Sequence, residues 1–74
     1  MNNDVFRFRL QKLRERHRGL SRATLSELCG LPPDTIRKYE RGQVNNPTIE
    51  SLVAIADYFE VSVDYLIGRT DEKS

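Results

Sequence analysis

Residues 25–42 constrain the fold of this chain more than any other segment, because they predict two short amphipathic helices separated by a glycine. Gly30 can adopt a left-handed backbone conformation without strain, so it is expected to end the first helix and turn the chain sharply. The prolines that follow fit the first turn of a second helix, where a missing N–H does no harm. Ile36 and Tyr39 recur at helical spacing and are predicted to face inward. Charged side chains are thereby left on the outer side of the second helix.

The length of 74 residues predicts one small domain. The chain has no apolar stretch of about 18 residues and no signal-peptide pattern at its start, so we expect a cytoplasmic protein that does not span a membrane. A single cysteine, Cys29, and a single histidine, His17, supply neither a disulfide nor a set of metal ligands. We find no nucleophile–base pair and no phosphate-binding glycine loop, and therefore predict no enzyme, no metal and no cofactor.

The net charge of +1 conceals an asymmetry along the chain. Residues 1–42 hold ten Lys and Arg against five Asp and Glu, whereas residues 43–74 hold two against six. A basic front half and an acidic back half suit a domain that docks on phosphate with one face. Charge alone leaves a second interpretation open, namely that these are simply solvated helix surfaces.

The hydrophobic pattern predicts five helices and no strand. Helix 1 should cover residues 4–17, with Asp4 as its cap and a buried stripe from which Phe8 is displaced. Helix 2 should start after Ser21 and end at Gly30, and helix 3 should run over residues 33–41. The predicted inward side chains of helices 1 and 2 are Phe6, Leu10, Leu13, Leu25 and Leu28.

A loop rich in turn-forming residues separates helix 3 from the last two helices. Thr48 is the expected cap of helix 4, and Ser62 is that of a short helix 5 that ends at Gly68. Residues 69–74 should form a polar tail. The predicted inward side chains of these helices are Ile49, Leu52, Val53, Ala56, Phe59 and Leu66.

These residues resemble the helix-turn-helix domain of Cro and the phage repressors, over about residues 6–68. The resemblance rests on an ordered set of separate pieces: Phe6, Leu10, Leu13, Arg14, Gly19-Leu20-Ser21, Leu25, Gly30, Thr35-Ile36, Tyr39-Glu40-Arg41-Gly42, Pro47, Leu52, Ile55-Ala56, Phe59, Val61-Ser62, Asp64, Leu66 and Gly68. It implies an all-α, five-helix lambda-repressor-like domain over residues 1–68, with the helix-turn-helix formed by helices 2 and 3. It also implies a structural ion pair between Arg14 and Glu40.

Three departures from the family pattern bear on function. Arg22 stands where a glutamine most often opens helix 2, a position that the resemblance places against a backbone phosphate. Pro32 and Pro33 replace small polar residues at the head of the recognition helix, so base reading should shift to the following residues. The stretch before Gly19 is one residue longer than usual, which leaves the path of the chain at His17 and Arg18 open.

Arg37 and Lys38 are the expected base-reading residues, because a recognition helix in the major groove brings such side chains to guanine acceptors. Asp34 either accepts from a cytosine amino group or merely complements the helix dipole. Phosphate contacts are expected from Ser21, Arg22, Thr35, Arg41, Asn45, Asn46 and Thr48. Ser21 and Thr35 also have local duties at helix starts, and the two asparagines are equally explained as turn residues.

The function predicted from these residues is sequence-specific binding to double-stranded DNA by a transcriptional repressor. The alternative is a protein-interaction module, such as an antitoxin-like regulator, for which DNA is secondary; a regulatory protein partner is left open. We expect a homodimer on a palindromic operator, with half-sites about 34 Å apart. Helix 5 is too short to bury all its apolar side chains, so the dimer contact is predicted at Tyr58, Val63, Tyr65 and Ile67, with Phe8 as the next choice.

Overall fold

The computed structural model of the chain describes residues 3–44 and 46–73. This part of the chain forms five helices and no strand, as the hydrophobic pattern predicted. The helices are α1 (Asn3–Arg16), α2 (Arg22–Leu28), α3 (Thr35–Glu40), α4 (Ile49–Phe59) and α5 (Val63–Leu66). None of them has the length and the apolar run that crossing a bilayer requires.

Side-chain caps begin three of the helices where the sequence placed them. Ser21 Oγ accepts from the backbone N–H of Thr24 at 3.0 Å, and Thr48 Oγ1 accepts from that of Ser51 at 3.0 Å. The Ser62 hydroxyl does the same at the start of α5. Each cap satisfies a backbone donor that has no partner within its own helix.

Two helix starts differ from the prediction. The first helix already includes Asn3, so Asp4 lies in its first turn and is not its cap. The third begins at Thr35 and not at Pro33, with Asp34 at its N-cap position. Pro32 instead accepts a hydrogen bond from the Thr35 N–H, which closes a single turn ahead of α3.

The core lies where α1, α2, α3 and α4 meet, and α5 closes one side of it. Phe6 and Tyr39 pack edge to face, with their ring centroids 5.6 Å apart. This arrangement is the one that aromatic pairs prefer. The buried hydrophobic side chains are Phe6, Leu10, Leu25, Ile36, Tyr39, Leu52, Ile55, Ala56, Val61 and Leu66.

Three side chains predicted to face inward are exposed instead. Leu28 is 53% exposed because the inward side of α2 is formed by Leu25 and Ser26, and Leu28 lies about 110° away from their mean direction. In α4, Val53 is 41% exposed because the buried residues Ser51, Leu52, Ile55 and Ala56 form the inward side, and Val53 lies about 130° from their mean direction. Ile49, 73% exposed, is the first residue of that helix.

The extra residue before Gly19 is accommodated by two consecutive residues in the left-handed region. Arg18 has φ of 61° and Gly19 has φ of 59°. The backbone N–H of Leu20 then reaches the carbonyl of His17 at 3.4 Å. The sequence had left this path open, and the structure shows a tight reversal between α1 and α2.

The polar tail folds back onto the domain. Arg9 donates to the carbonyl of Thr70 at 2.6 Å and pairs with the carboxylate of Asp71 at 2.7 Å. The backbone N–H of Ser62 donates to the carbonyl of Lys73 at 2.6 Å. Residues 70–73 therefore pack against α1 and the start of α5.

Candidate nucleic-acid interface

The turn between α2 and α3 has the geometry that the sequence predicted. Gly30 has φ of +71°, in the left-handed region that glycine adopts without strain. The backbone N–H of Leu31 reaches back to the carbonyl of Ser26 at 2.8 Å, and that of Gly30 reaches the carbonyl of Glu27 at 3.0 Å. These two bonds satisfy carbonyls at the end of α2 and redirect the chain toward α3.

Ser26 joins the two helices of this motif, a role that was not predicted from the sequence. Its hydroxyl accepts from the backbone N–H of Ile36 at 3.1 Å and donates to the carbonyl of Arg22 at 3.0 Å. Both Ser26 and Ile36 are fully buried. The signal in the sequence was a small polar residue directly after the inward Leu25. If such a residue is buried, its hydroxyl needs a hydrogen-bond partner.

The two sides of α3 differ in the way the motif predicted. Ile36 is fully buried and Tyr39 is 5% exposed, so this side of the helix is fixed in the core. Lys38 and Arg41 are exposed, and Arg37 is half-buried. The outer side of α3 therefore presents cationic side chains on a helix whose position is set by its inner side.

Asp34 and Arg37, both expected to read bases, contact each other. Arg37 Nη2 lies 3.3 Å from Asp34 Oδ2, an i,i+3 ion pair with 38% of the Arg37 and 65% of the Asp34 side chain exposed. Asp34 occupies the N-cap position of α3, but its side chain makes no capping hydrogen bond. The contact with Arg37 restricts the direction of the guanidinium. Asp34 thus has a third possible role, in addition to complementing the helix dipole and accepting from a cytosine.

Glu40 lies at the centre of an arginine cluster behind the interface. Arg14 Nε lies 2.7 Å from Glu40 Oε2, and Arg14 Nη2 lies 3.0 Å from Oε1, so the ion pair implied by the resemblance is present and bidentate. Only 2% of the Glu40 side chain is exposed. The hydrogen bond from Glu40 raises the pKa of the Arg14 guanidinium above its usual value, against the opposing effect of burial. The pair ties α1 to the end of α3.

Arg22, the expected phosphate contact at the start of α2, also binds Glu40. Its Nε lies 2.9 Å from Glu40 Oε1, while 45% of the side chain remains exposed. This contact was not predicted from the sequence, because the resemblance pairs Glu40 with Arg14 alone. Arg22 is therefore held at the edge of the motif by a buried carboxylate, with part of its cation turned to solvent.

The other expected phosphate contacts within the described residues range from half-buried to exposed. Ser21 is exposed, and its hydroxyl is engaged by Thr24, while that of Thr48 is engaged by Ser51. Thr35 is half-buried and Asn46 is exposed. Asn45 lies outside the described residues.

Cys29 packs against the core, and His17 lies at the end of α1. Cys29 is half-buried against the core, and burial raises the pKa of its thiol, which keeps it protonated and weakly nucleophilic. His17 is exposed at the end of α1, and its ring meets the edges of Tyr58 and Phe59 at centroid distances of 5.3 and 5.7 Å.

The apolar side chains of the C-terminal segment are more buried than the sequence analysis expected. All four residues of the predicted dimer contact pack partly against the core of their own protomer: Tyr58, Val63, Tyr65 and Ile67. Each of the four therefore keeps part of its surface exposed. Arg9 of α1 contacts the carbonyls of Tyr65 and Thr70 on this side of the domain. Within the described part of the chain the exposed large hydrophobic residues are Phe8, Leu28, Ile49 and Val53.

The sequence and fold are similar to those of known regulators. Residues 10–66 match the helix-turn-helix family model. The uncharacterized HTH-type transcriptional regulator YobD of Bacillus subtilis (strain 168) is 36% identical over 64 residues, which are 86% of this chain and 55% of YobD. The cryptic phage CTXphi transcriptional repressor RstR of Vibrio cholerae is 43% identical over 54 residues, 70% of this chain and 47% of RstR. The chain thus spans about half the length of these curated relatives.

A solved structure has the same arrangement of helices. The N-terminal DNA-binding domain of SinR from Bacillus subtilis superposes with a TM-score of 0.76 at 27% sequence identity. The superposition covers 84% of this chain and 88% of that domain.

Proposed function

The chain belongs to the helix-turn-helix family of DNA-binding transcription regulators, and from this premise we propose that it is a cytoplasmic repressor that binds a specific double-stranded DNA sequence as a homodimer. One observation carries the proposal. The inner side of α3 is fixed by the buried Ile36 and Tyr39, while Lys38 and Arg41 are exposed on its outer side. A rigid helix with exposed cations can enter the major groove without loss of its own packing.

Base reading is assigned to Arg37 and Lys38, with Asp34 as the residue that orients Arg37. A guanidinium held 3.3 Å from a carboxylate keeps a preferred direction, which favours one guanine position over its neighbours. Pro32 and Pro33 supply no side-chain donor in the turn ahead of α3. The sequence preference should therefore rest on few contacts, each worth about 1–3 kcal/mol.

Phosphate binding is assigned to Arg22 and Arg41 as the charged contacts, with Ser21, Thr35, Asn45, Asn46 and Thr48 as neutral ones. The 45% exposed Arg22 side chain keeps part of its cation accessible, although its Nε is engaged by Glu40. Such contacts orient the protein on the duplex without reading its sequence.

The homodimer is proposed to form on DNA through Tyr58, Val63 and Ile67, which remain partly exposed at the C-terminal side of the domain. Tyr65 is less suited, because the Arg9 guanidinium covers its ring at 4.1 Å from the centroid. Because these side chains are only partly exposed, the area that two protomers can bury between them is small. DNA is expected to supply the remaining stabilisation of the pair.

Selection of bound duplexes from random DNA, followed by fluorescence anisotropy of the enriched sequence at several salt concentrations, tests the proposal. We expect enrichment of a palindrome and a steep fall in affinity with salt. Arg22→Ala should flatten the salt dependence by about one unit of slope, whereas the matched variant Arg69→Ala should leave it unchanged. If no sequence is enriched and the affinity is independent of salt, the chain is an interaction module whose partner is a protein.

A further inference from the structure

A groove on α1 combines exposed aromatic surface with cations. It has a volume of about 270 Å³. Its lining residues are Phe8, Arg9, Lys12, Leu13, Arg16 and Tyr65, and we call it the α1–α5 groove.

The groove lies on the side of α1 that points away from α3. Arg14 faces α3, since it binds the buried Glu40 there. At about 100° per residue, Lys12 is turned by about 160° from Arg14 around the helix axis, and Phe8 and Arg16 lie one turn to either side of Lys12. A duplex bound at α3 would therefore leave the groove accessible.

The aromatic and charged side chains of the groove make only some of their possible contacts with one another. Phe8 is 60% exposed, and the Lys12 ammonium lies 5.5 Å from its ring centroid. Arg9 is engaged by the tail and by Tyr65, and Lys12 lies 3.7 Å from a Glu15 oxygen. Among residues 3–44 and 46–73, no carboxylate comes within 4.0 Å of Arg16. The groove thus combines an exposed ring, a weakly paired ammonium and a guanidinium that has no carboxylate partner among the described residues.

We propose that the α1–α5 groove binds an acidic peptide segment of another protein, with one apolar side chain against Phe8 and carboxylates against Lys12 and Arg16. The charge of the rim selects an acidic partner. The volume is below the roughly 300–1,000 Å³ of small-molecule sites, which suits a single inserted side chain better than a free ligand.

A second copy of the chain fits the groove less well. Pairing two identical protomers about a two-fold axis places the same patch on both sides of the contact. Such a contact would bring Lys12 and Arg16 of both protomers into one interface, and clustered like charges are unfavourable.

The test begins with a phage-displayed library of random 12-residue peptides, selected on the full chain and counter-selected on the Phe8→Ala variant. We expect enriched peptides to carry two or more acidic residues beside one large apolar residue. The most enriched peptide is then titrated into the ¹⁵N-labelled chain, and amide shifts should saturate in α1 and α5. DNA binding is measured on the same preparations, so that loss of either activity is seen separately.

Exposed positions allow matched variants that keep the fold. Phe8→Ala and Arg16→Glu should each weaken the peptide at least tenfold, whereas Ile49→Ala and Arg69→Glu, outside the groove, should change its Kd less than twofold. Phe8→Ala should leave DNA affinity within twofold of wild type. Retention of peptide affinity in both groove variants would overturn the proposal.

Three further outcomes would overturn it. One is a selection without an acidic and apolar consensus. Another is tighter binding of single-stranded oligothymidine to the same amides, which would make the groove a nucleic-acid site. The third is self-association that Phe8→Ala abolishes in sedimentation equilibrium, which would make it the dimer contact.

Discussion

The hydroxyl oxygen of Ser26 in α2 lies 3.1 Å from the backbone nitrogen of Ile36 in α3 and accepts its hydrogen bond. Both residues are fully buried, so water cannot take over this bond without disruption of the core. The same hydroxyl donates to the carbonyl of Arg22. The Ser26 side chain thus links the start of α2 to the first turn of α3. It helps to fix the angle between the two helices of the motif.

Replacing Ser26 with alanine should lower the free energy of unfolding by about 1–3 kcal/mol, because the Ile36 N–H is left buried without an acceptor. Urea denaturation measures the loss. Ser51→Ala is the control, since the exposed Thr48 hydroxyl that it frees can turn to water. The interpretation fails if the two variants lose the same stability.

Arg14 and Arg22 should contribute unequally to stability although both bind Glu40. Arg14→Ala leaves a buried carboxylate without its bidentate partner and should cost about 3–5 kcal/mol. Arg22→Ala removes a side chain that is 45% exposed and should cost less than about 1 kcal/mol. Thermal and urea unfolding of both variants check this order, and a larger loss for Arg22→Ala would reverse the assignment of structural and DNA-contacting roles.

Asp34→Asn should change discrimination more than affinity. Loss of the carboxylate removes a negative charge from the proposed DNA-contacting side of α3 and frees Arg37, so binding to scrambled DNA should strengthen. The ratio of cognate to scrambled affinity should fall, because the guanidinium is no longer directed. Anisotropy on both duplexes measures the ratio. Arg37→Ala provides the comparison, and equal losses on both duplexes in that variant would make Arg37 a phosphate contact.

Alanine at Gly68 should destabilise the domain more than alanine at Gly30. Both glycines have positive φ, which costs other residues about 1–2 kcal/mol. A Cβ at Gly30 meets nothing within 4 Å, whereas one at Gly68 would lie 2.7 Å from Val5 Cγ1. Differential scanning calorimetry should therefore give the lower Tm for Gly68→Ala. Equal Tm values would mean that α1 moves aside without cost.

A palindromic duplex should bind two protomers, and Ile67→Asp should reduce this cooperativity. A carboxylate in a partly buried apolar contact loses solvation without gaining a partner. Sedimentation equilibrium with and without the duplex counts the protomers. A single protomer at saturation would exclude the dimer, and an intact dimer in the variant would move the contact elsewhere.

The local features of this fold were predictable from the sequence. Ser21, Thr48 and Ser62 cap their helices, and Gly30 turns left-handed at the predicted place, because a cap or a turn depends on backbone atoms within a few residues. The inner side of α3 was predictable for a similar reason, since Ile36 and Tyr39 recur at the period of the helix.

The contacts that complete the candidate interface depended on how the helices pack. Glu40 binds Arg22 as well as Arg14, Ser26 accepts from Ile36, and the tail returns to Arg9. These partners are 10 to 61 residues apart in the chain. The exposure of Leu28 also followed from packing, because hydrophobicity alone does not say which apolar residue of a short helix meets its neighbour. The sequence by itself determined where helices begin, turn and end, since those events are local; only the tertiary structure decided which side chains meet across them, since that depends on the angle and distance between helices.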